Sequence, residues 1–160
     1  MTNKNMTTEE FYHDYKLICK MKVPLKSKAE MLTILFKNYE KSWRVIGITK
    51  EALKRFKEYN FKKTKGSKIN RSHINGRQDT FEVMMNTNFE SIDKWWDFYY
   101  ENDKTIFSLS SENAKVGEQI FISIDNELGL FKRSGYTWSH NKAERDYLES
   151  LYECHINSLI

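Results

Sequence analysis

The apolar and polar positions alternate with a helical period over the first part of the chain. Thr7 and Glu10 have capping-box spacing and lead into "FYHDYKLICKMK", which predicts a helix with Pro24 at or just beyond its end. Ser27 and Glu30 repeat that spacing. Met31, Leu32, Leu35, Phe36 and Tyr39 then recur at helical intervals and form one apolar stripe. Thr49 can cap "KEALKRFKEY", in which Ala52, Leu53, Phe56 and Tyr59 share a face. Near the end, Asn141 to Glu144 opens a helix that turns Tyr147, Leu148, Leu151 and either Cys154 or His155 inward.

Between the third and last of these helices the period changes. "KINRSHI" alternates Ile69, Arg71 and His73 against Asn70, Ser72 and Ile74, as a short strand would. "DTFEVMMN" and "ESIDKWWDFYYEN" read as helices that offer Phe81, Met84, Met85, Trp95, Trp96 and Tyr99 to a core. "KTIFSLS", "EQIFISID" and "GLFKRSGY" are β-branched or aromatic runs, separated by turn chemistry at Asn126 and Gly129. The predicted class is α+β: N-terminal helices, a small antiparallel β-sheet and a C-terminal helix. With one proline and no repeats, 160 residues predict a single domain, its helical part over about 7–60 and its α+β part over about 66–160.

Composition sharpens this picture. Hydrophobic residues make up 39% and aromatics 14%, more large apolar groups than a disordered chain carries. No apolar run approaches the roughly 20 residues needed to cross a bilayer, and "MTNKNMTTEEFYHDY" lacks the apolar core of a secretory signal. Cys19 and Cys154 lie far apart with no CxxC spacing, which predicts a cytoplasmic protein with two reduced, half-buried thiols and no cysteine-built zinc site.

Charge is unevenly spread. From Lys54 to Arg77 there are nine Lys or Arg against one acid, Glu58, whereas from Gln78 to Leu130 there are eleven acids against three Lys. A basic middle beside an acidic second half points to nucleic acid as a partner, with Lys54, Arg55, Lys62, Lys63, Lys65 and Lys68 as the contacting cations. The alternative is mutual attraction of the two halves within the fold. The run "WWDFYY" covers more than one helix face, and its neighbours Asp93, Asp97, Glu101 and Asp103 argue against nucleic acid there. Core plus a protein-contact surface over residues 93–103 is the better reading.

The candidate chemistry centres on "GSKINRSHINGRQDT". A neutral imidazole can take a proton from a nucleophile, so His73 can be a general base. Arg71 and Arg77 can hold phosphates and stabilise charge developing on them. Strand alternation sends Arg71 and His73 to one side. The plain alternative is a solvated basic strand with His73 satisfied by a neighbour. Further on, Ser110 or Ser111 can cap a helix beginning at Glu112, whose first turn would offer Glu112 and Asn113 to Mg²⁺.

"SHINGR" followed by "FSLSSENAK" resembles the phage-type HNH endonucleases. That resemblance implies a two-strand-and-helix site around one divalent metal, with His73 activating water and Asn113 on the metal side. It carries a geometric demand, that His73 and Asn113 be neighbours. A second resemblance, to small ribonucleases of the barnase, colicin and RelE type, implies metal-free RNA cleavage by His73, Arg71, Arg77 and His140 or Lys132 on one sheet face. A PD-(D/E)xK arrangement from Asp103, Glu112 and Lys115 is disfavoured, because ExxK does not place both residues on one strand face. His13 and His155 fall on helix positions with no ligand-like spacing to another histidine. The sequence therefore predicts a small nuclease acting on phosphodiester bonds, with His73 as its general base. Its rival is a non-enzymatic phage or mobile-element protein that binds nucleic acid or inhibits a host protein.

Overall fold

Capping and amphipathic spacing are realised in most of the helices of a computed structural model of the chain. It describes residues 6–37, 39, 42–62, 64–115, 120–125, 128–132 and 141–157, with the side chains of 113–115 excepted. Helix α1 (Thr8–Lys20) has its capping box, Thr7 with Glu10. Helix α3 (Lys50–Glu58) is capped by Thr49, whose hydroxyl accepts from the Ala52 N–H. Helix α6 (Lys142–His155) has a second box, Asn141 with Glu144. The box predicted at Ser27 is absent. Helix α2 (Leu25–Lys37) starts three residues before the Lys28 start that a Ser27 cap implies, and the Lys28 N–H donates to the Pro24 carbonyl. Proline's fixed φ suits a helix start, which overrides the weaker local signal.

Strand β1 (Arg44–Thr49) was not predicted, because Arg44 and Gly47 interrupt its apolar alternation. It is followed after α3 by β2 (Ile69–His73), α4 (Arg77–Asn86), α5 (Ile92–Asn102), β3 (Lys104–Leu109) and β4 (Phe121–Ser123). The sheet order is β2-β3-β1-β4. The fold class is α+β as predicted, but the sheet is mixed: β1 runs parallel to β3, and the other two pairings are antiparallel. A parallel neighbour requires a long crossover, supplied here by α3, β2, α4 and α5. "GLFKRSGY" forms no strand over 129–132, and its remainder lies outside the described residues.

Two cores hold these layers together. One gathers Val45, Ile48 and Phe107 of the sheet with Leu53 and Phe56 of α3 and Leu148 of α6. The other gathers Phe11, Leu32, Phe36, Phe81 and Trp95 from α1, α2, α4 and α5. Each fully buried large apolar side chain contributes about 1.5–3 kcal/mol, so both clusters are substantial. They interleave along the chain: α3 serves the sheet core, while α4 and α5 return to the helical core. The division of the chain near residues 60–66 therefore does not coincide with the two cores. Both thiols are free, with Cys19 half-buried and Cys154 exposed, and His155 is exposed as well. No helix among the described residues is long and apolar enough to cross a membrane.

Candidate functional site

His73 ends β2, where the strand leaves the sheet for the Asn75–Gly76 turn and α4. Across from it, Asp103 terminates α5 and precedes β3. The two meet: His73 Nε2 lies 3.1 Å from Asp103 Oδ1. Asp103 is 3% exposed, and a buried carboxylate is tolerated only when donors surround it. Its other oxygen accepts from the Trp43 backbone N–H, and the Tyr99 phenol is bonded to it. Burial pushes that phenol well above its ordinary value. With Nε2–H donating to Asp103, the imidazole lone pair resides on Nδ1.

Trp43 adjoins this pair. Its φ of 61° is left-handed, which costs a bulky residue about 1–3 kcal/mol. Bonds on both sides of the residue hold it there: the N–H donates to Asp103, and the carbonyl accepts from Arg71 Nη1 at 3.3 Å and Thr105 Oγ1 at 3.3 Å. The half-buried indole stands nearly perpendicular to the His73 ring, with centroids 4.7 Å apart. Over it, at 5.1 Å, lies the guanidinium of Arg77, an exposed residue at the first position of α4. His73, Arg77, Tyr99 and Asp103 line a cleft of about 10 Å³, room for a single water at most. A substrate group would sit at its mouth. A larger hollow of about 370 Å³ lies along β4 between Lys50 and His155 and contains none of the predicted site residues.

Arg71 shares a strand face with His73, as alternation predicts, and both reach Trp43. Their environments differ, however. Arg71 is 9% exposed and donates through Nη2 to the Phe131 carbonyl at 2.7 Å. Phe131 N–H in turn donates to Glu144 at the start of α6. Burial lowers the guanidinium pKa to about 10, against the opposing pull of Glu144 and Asp103. The prediction that Arg71 holds a phosphate is thus corrected: its donors face main-chain carbonyls in the interior.

The metal-side residues lie elsewhere. His73 pairs with Thr105 and Ile69 with Leu109, so the 3₁₀ turn Ser110–Lys115 begins five residues beyond the His73 end of β3. That is about 16 Å at roughly 3.3 Å per residue. Glu112 turns back, and one carboxylate oxygen accepts from the Leu109 N–H and the Thr49 hydroxyl. The turn starts at Ser110, whose hydroxyl is bonded to Lys68 and Asn70 of the β2 side and caps no helix at Glu112. The Asn113 side chain is outside the described residues. Its backbone belongs to that distant turn, so the neighbourhood that the HNH-like resemblance demands is not met. A Mg²⁺ ion held by Glu112 and Asn113 would lie at this far end of β3, too distant for the water activation by His73 that the resemblance implies. The length of β3 likewise separates Asp103 from Glu112, which removes the PD-(D/E)xK grouping. Among the described residues, no group of three or more His, Cys, Asp or Glu side chains converges.

Of the basic residues, Lys54 and Arg55 form ion pairs with Glu51 and Glu58 on α3. Lys62, Lys65 and Lys68 are exposed in the segment before β2, and Lys63 is outside the described residues. Lys68 stands at the opposite end of β2 from His73, again about 16 Å away. Lys132 is exposed, and His140 lies outside the described residues. Trp95 and Tyr99 of "WWDFYY" are buried, and Trp96 and Phe98 pack on Tyr39 and Phe89. Asp93, Asp97 and Glu101 face outward, and Glu101 pairs with Arg44 and Lys104. Sequence reasoning missed Trp43 and weighed Asp103 only among the acids near "WWDFYY" and in the disfavoured PD-(D/E)xK string, not as a partner of His73. The only local hint was an acid standing directly between a helix and a strand. No family model, no curated protein and no solved structure matches this chain.

Proposed function

We propose that the protein cleaves RNA at phosphodiester bonds, with His73 as general base, Asp103 as its orienting partner and Arg77 as phosphate ligand. The observation that carries this reading is the His73–Asp103 contact in the lining of a cleft that Arg77 also lines. A ribose 2′-hydroxyl is a nucleophile already tethered to its phosphate, so a base and a charge clamp suffice for intramolecular attack. His73 Nδ1 removes the 2′-hydroxyl proton, and the 2′-oxygen attacks phosphorus. Asp103 stabilises the resulting imidazolium. Arg77 offsets charge on the non-bridging oxygens, helped by the N-terminal end of the α4 dipole. The P–O5′ bond breaks, the leaving oxygen takes a proton from water at the open mouth, and a 2′,3′-cyclic phosphate results.

The test is incubation with RNA and with DNA, each in Mg²⁺ and in EDTA, beside His73→Ala and Arg77→Ala. RNA should be cut in EDTA to cyclic-phosphate ends, and His73→Ala should slow this about 10²–10⁴-fold. Intact RNA, or full activity in His73→Ala, would refute the proposal. A second reading is binding of nucleic acid without cleavage through Lys62, Lys65 and Lys68. It is favoured by the exposure of these lysines and their distance from His73. Under that reading, charge reversal at the three lysines abolishes function and His73→Ala leaves it intact.

A further inference from the structure

We propose that Trp43 is a nucleobase-stacking platform, which makes the substrate an unpaired strand. This deepens the reading of the His73 cleft as a phosphodiester site and rests on it. Three observations converge on this residue. Its left-handed backbone is held by bonds on both its N–H and its carbonyl, a geometry that glycine or asparagine would adopt at less cost. What the position keeps by carrying tryptophan is the indole, not the turn. That indole is half-buried and fixed against His73, within reach of whatever the imidazole acts on. The group that covers it is Arg77, an exposed cation whose side chain can swing from the ring to a phosphate.

A base replacing Arg77 over the indole would leave the guanidinium to bind the adjoining phosphate, so stacking and clamping would occur together. Bases in a duplex are already stacked on one another and cannot present a face to Trp43. The cleft, with room for one water, has no space for a flipped base inside it. The base therefore stacks outside the cleft, on the face of the indole that Arg77 covers.

The experiment uses a fluorescein-labelled 2′-O-methyl oligouridine of about twelve nucleotides, within the span that single-strand binders cover. Lacking a 2′-hydroxyl, it cannot be cut, so polarisation reads binding alone. The comparator is the same strand annealed to its complement. Trp43→Phe and Trp43→Leu are matched variants: both side chains are apolar and both bear the same left-handed strain, but only phenylalanine has a π-face. Wild type and Trp43→Phe should bind the single strand more tightly than the duplex. Trp43→Leu should lose about 5- to 150-fold on the single strand, the range for one base–aromatic stack, with the duplex unaffected. Equal binding by the two variants, or a wild-type preference for duplex, would overturn the assignment. Binding that follows this pattern without RNA cleavage would sink the nuclease and leave the platform standing. His73-dependent cleavage with matched Phe and Leu variants would do the reverse.

Discussion

Replacing Asp103 with asparagine tests whether this carboxylate holds the candidate site together. Asp103 is 3% exposed and accepts from the Trp43 N–H, the His73 ring and the Tyr99 phenol. Asparagine keeps the shape but has one acceptor oxygen and a donor NH₂, so at least one of these donors would face another donor. A lost charge-assisted hydrogen bond costs about 1.5–3 kcal/mol, and removing one partner of a buried pair costs about 3–5. Part of the geometry survives, which places Asp103→Asn at about 2–4 kcal/mol. For a chain of this size the midpoint should fall by about 5–15 °C. Thermal melting checks this shift, and urea unfolding followed by circular dichroism checks the free energy, with a lower urea midpoint and an unchanged slope expected. Asp97→Asn, on the exposed side of the same helix, is the control and should stay within about 0.5 kcal/mol. A loss at Asp103 no larger than at Asp97 would refute the reasoning.

The other predictions use the same residues and their surroundings. Arg71→Ala should destabilise by about 3 kcal/mol in urea, whereas Arg77→Ala should stay within about 1 kcal/mol yet reduce RNA cleavage; the opposite order would reverse their assigned roles. Gly47→Ala should cost about 1–3 kcal/mol, because the added methyl would lie 2.8 Å from Phe121 Cε2 and 2.9 Å from Cγ, forcing β4 off β1; an unchanged urea midpoint would contradict that packing. Burial keeps the Tyr99 phenol protonated in the folded state well above 10.0, the value at which the unfolded chain releases its proton. That contribution is therefore present below pH 10.0 and is lost as pH climbs beyond it. Melting temperature against pH should fall more gently in Tyr99→Phe, and parallel curves would count against it.

What the sequence disclosed follows from how local each determinant is. The caps at Thr7, Thr49 and Asn141 were legible because donor and acceptor lie within three residues. So was the alternation that puts Arg71 and His73 on one strand face. Strand β1 was not, since its partner β3 lies some sixty residues away and Gly47 breaks its apolar run. Asp103 was read as one acid among several near "WWDFYY", or grouped with Glu112 and Lys115, because the groups that bury it come from residues 43, 73 and 99. Trp43 gave no periodic signal at all. The separation of Glu112 from His73 is likewise a matter of register, which "SHINGR" and "FSLSSENAK" do not contain.

Arg71 and His73 show how neighbours on one strand face come to differ. Phe131 and the start of α6 cover Arg71, so its charge is spent on carbonyls, and the strand is tied to the sheet core. Two residues on, the strand leaves that cover, and His73 meets the end of α5, which belongs to the helical core. The His73–Asp103 contact therefore spans the junction of the two cores. Trp43 joins both halves of that junction, its carbonyl bonded to Arg71 and its N–H to Asp103. A shift of α5 against the sheet would move the base away from its orienting carboxylate before either core unfolded. On this argument, conditions that loosen the helical core should weaken RNA cleavage ahead of the loss of secondary structure. Activity and circular dichroism followed along one urea series would reveal it, and coincident midpoints would show that the junction does not open separately.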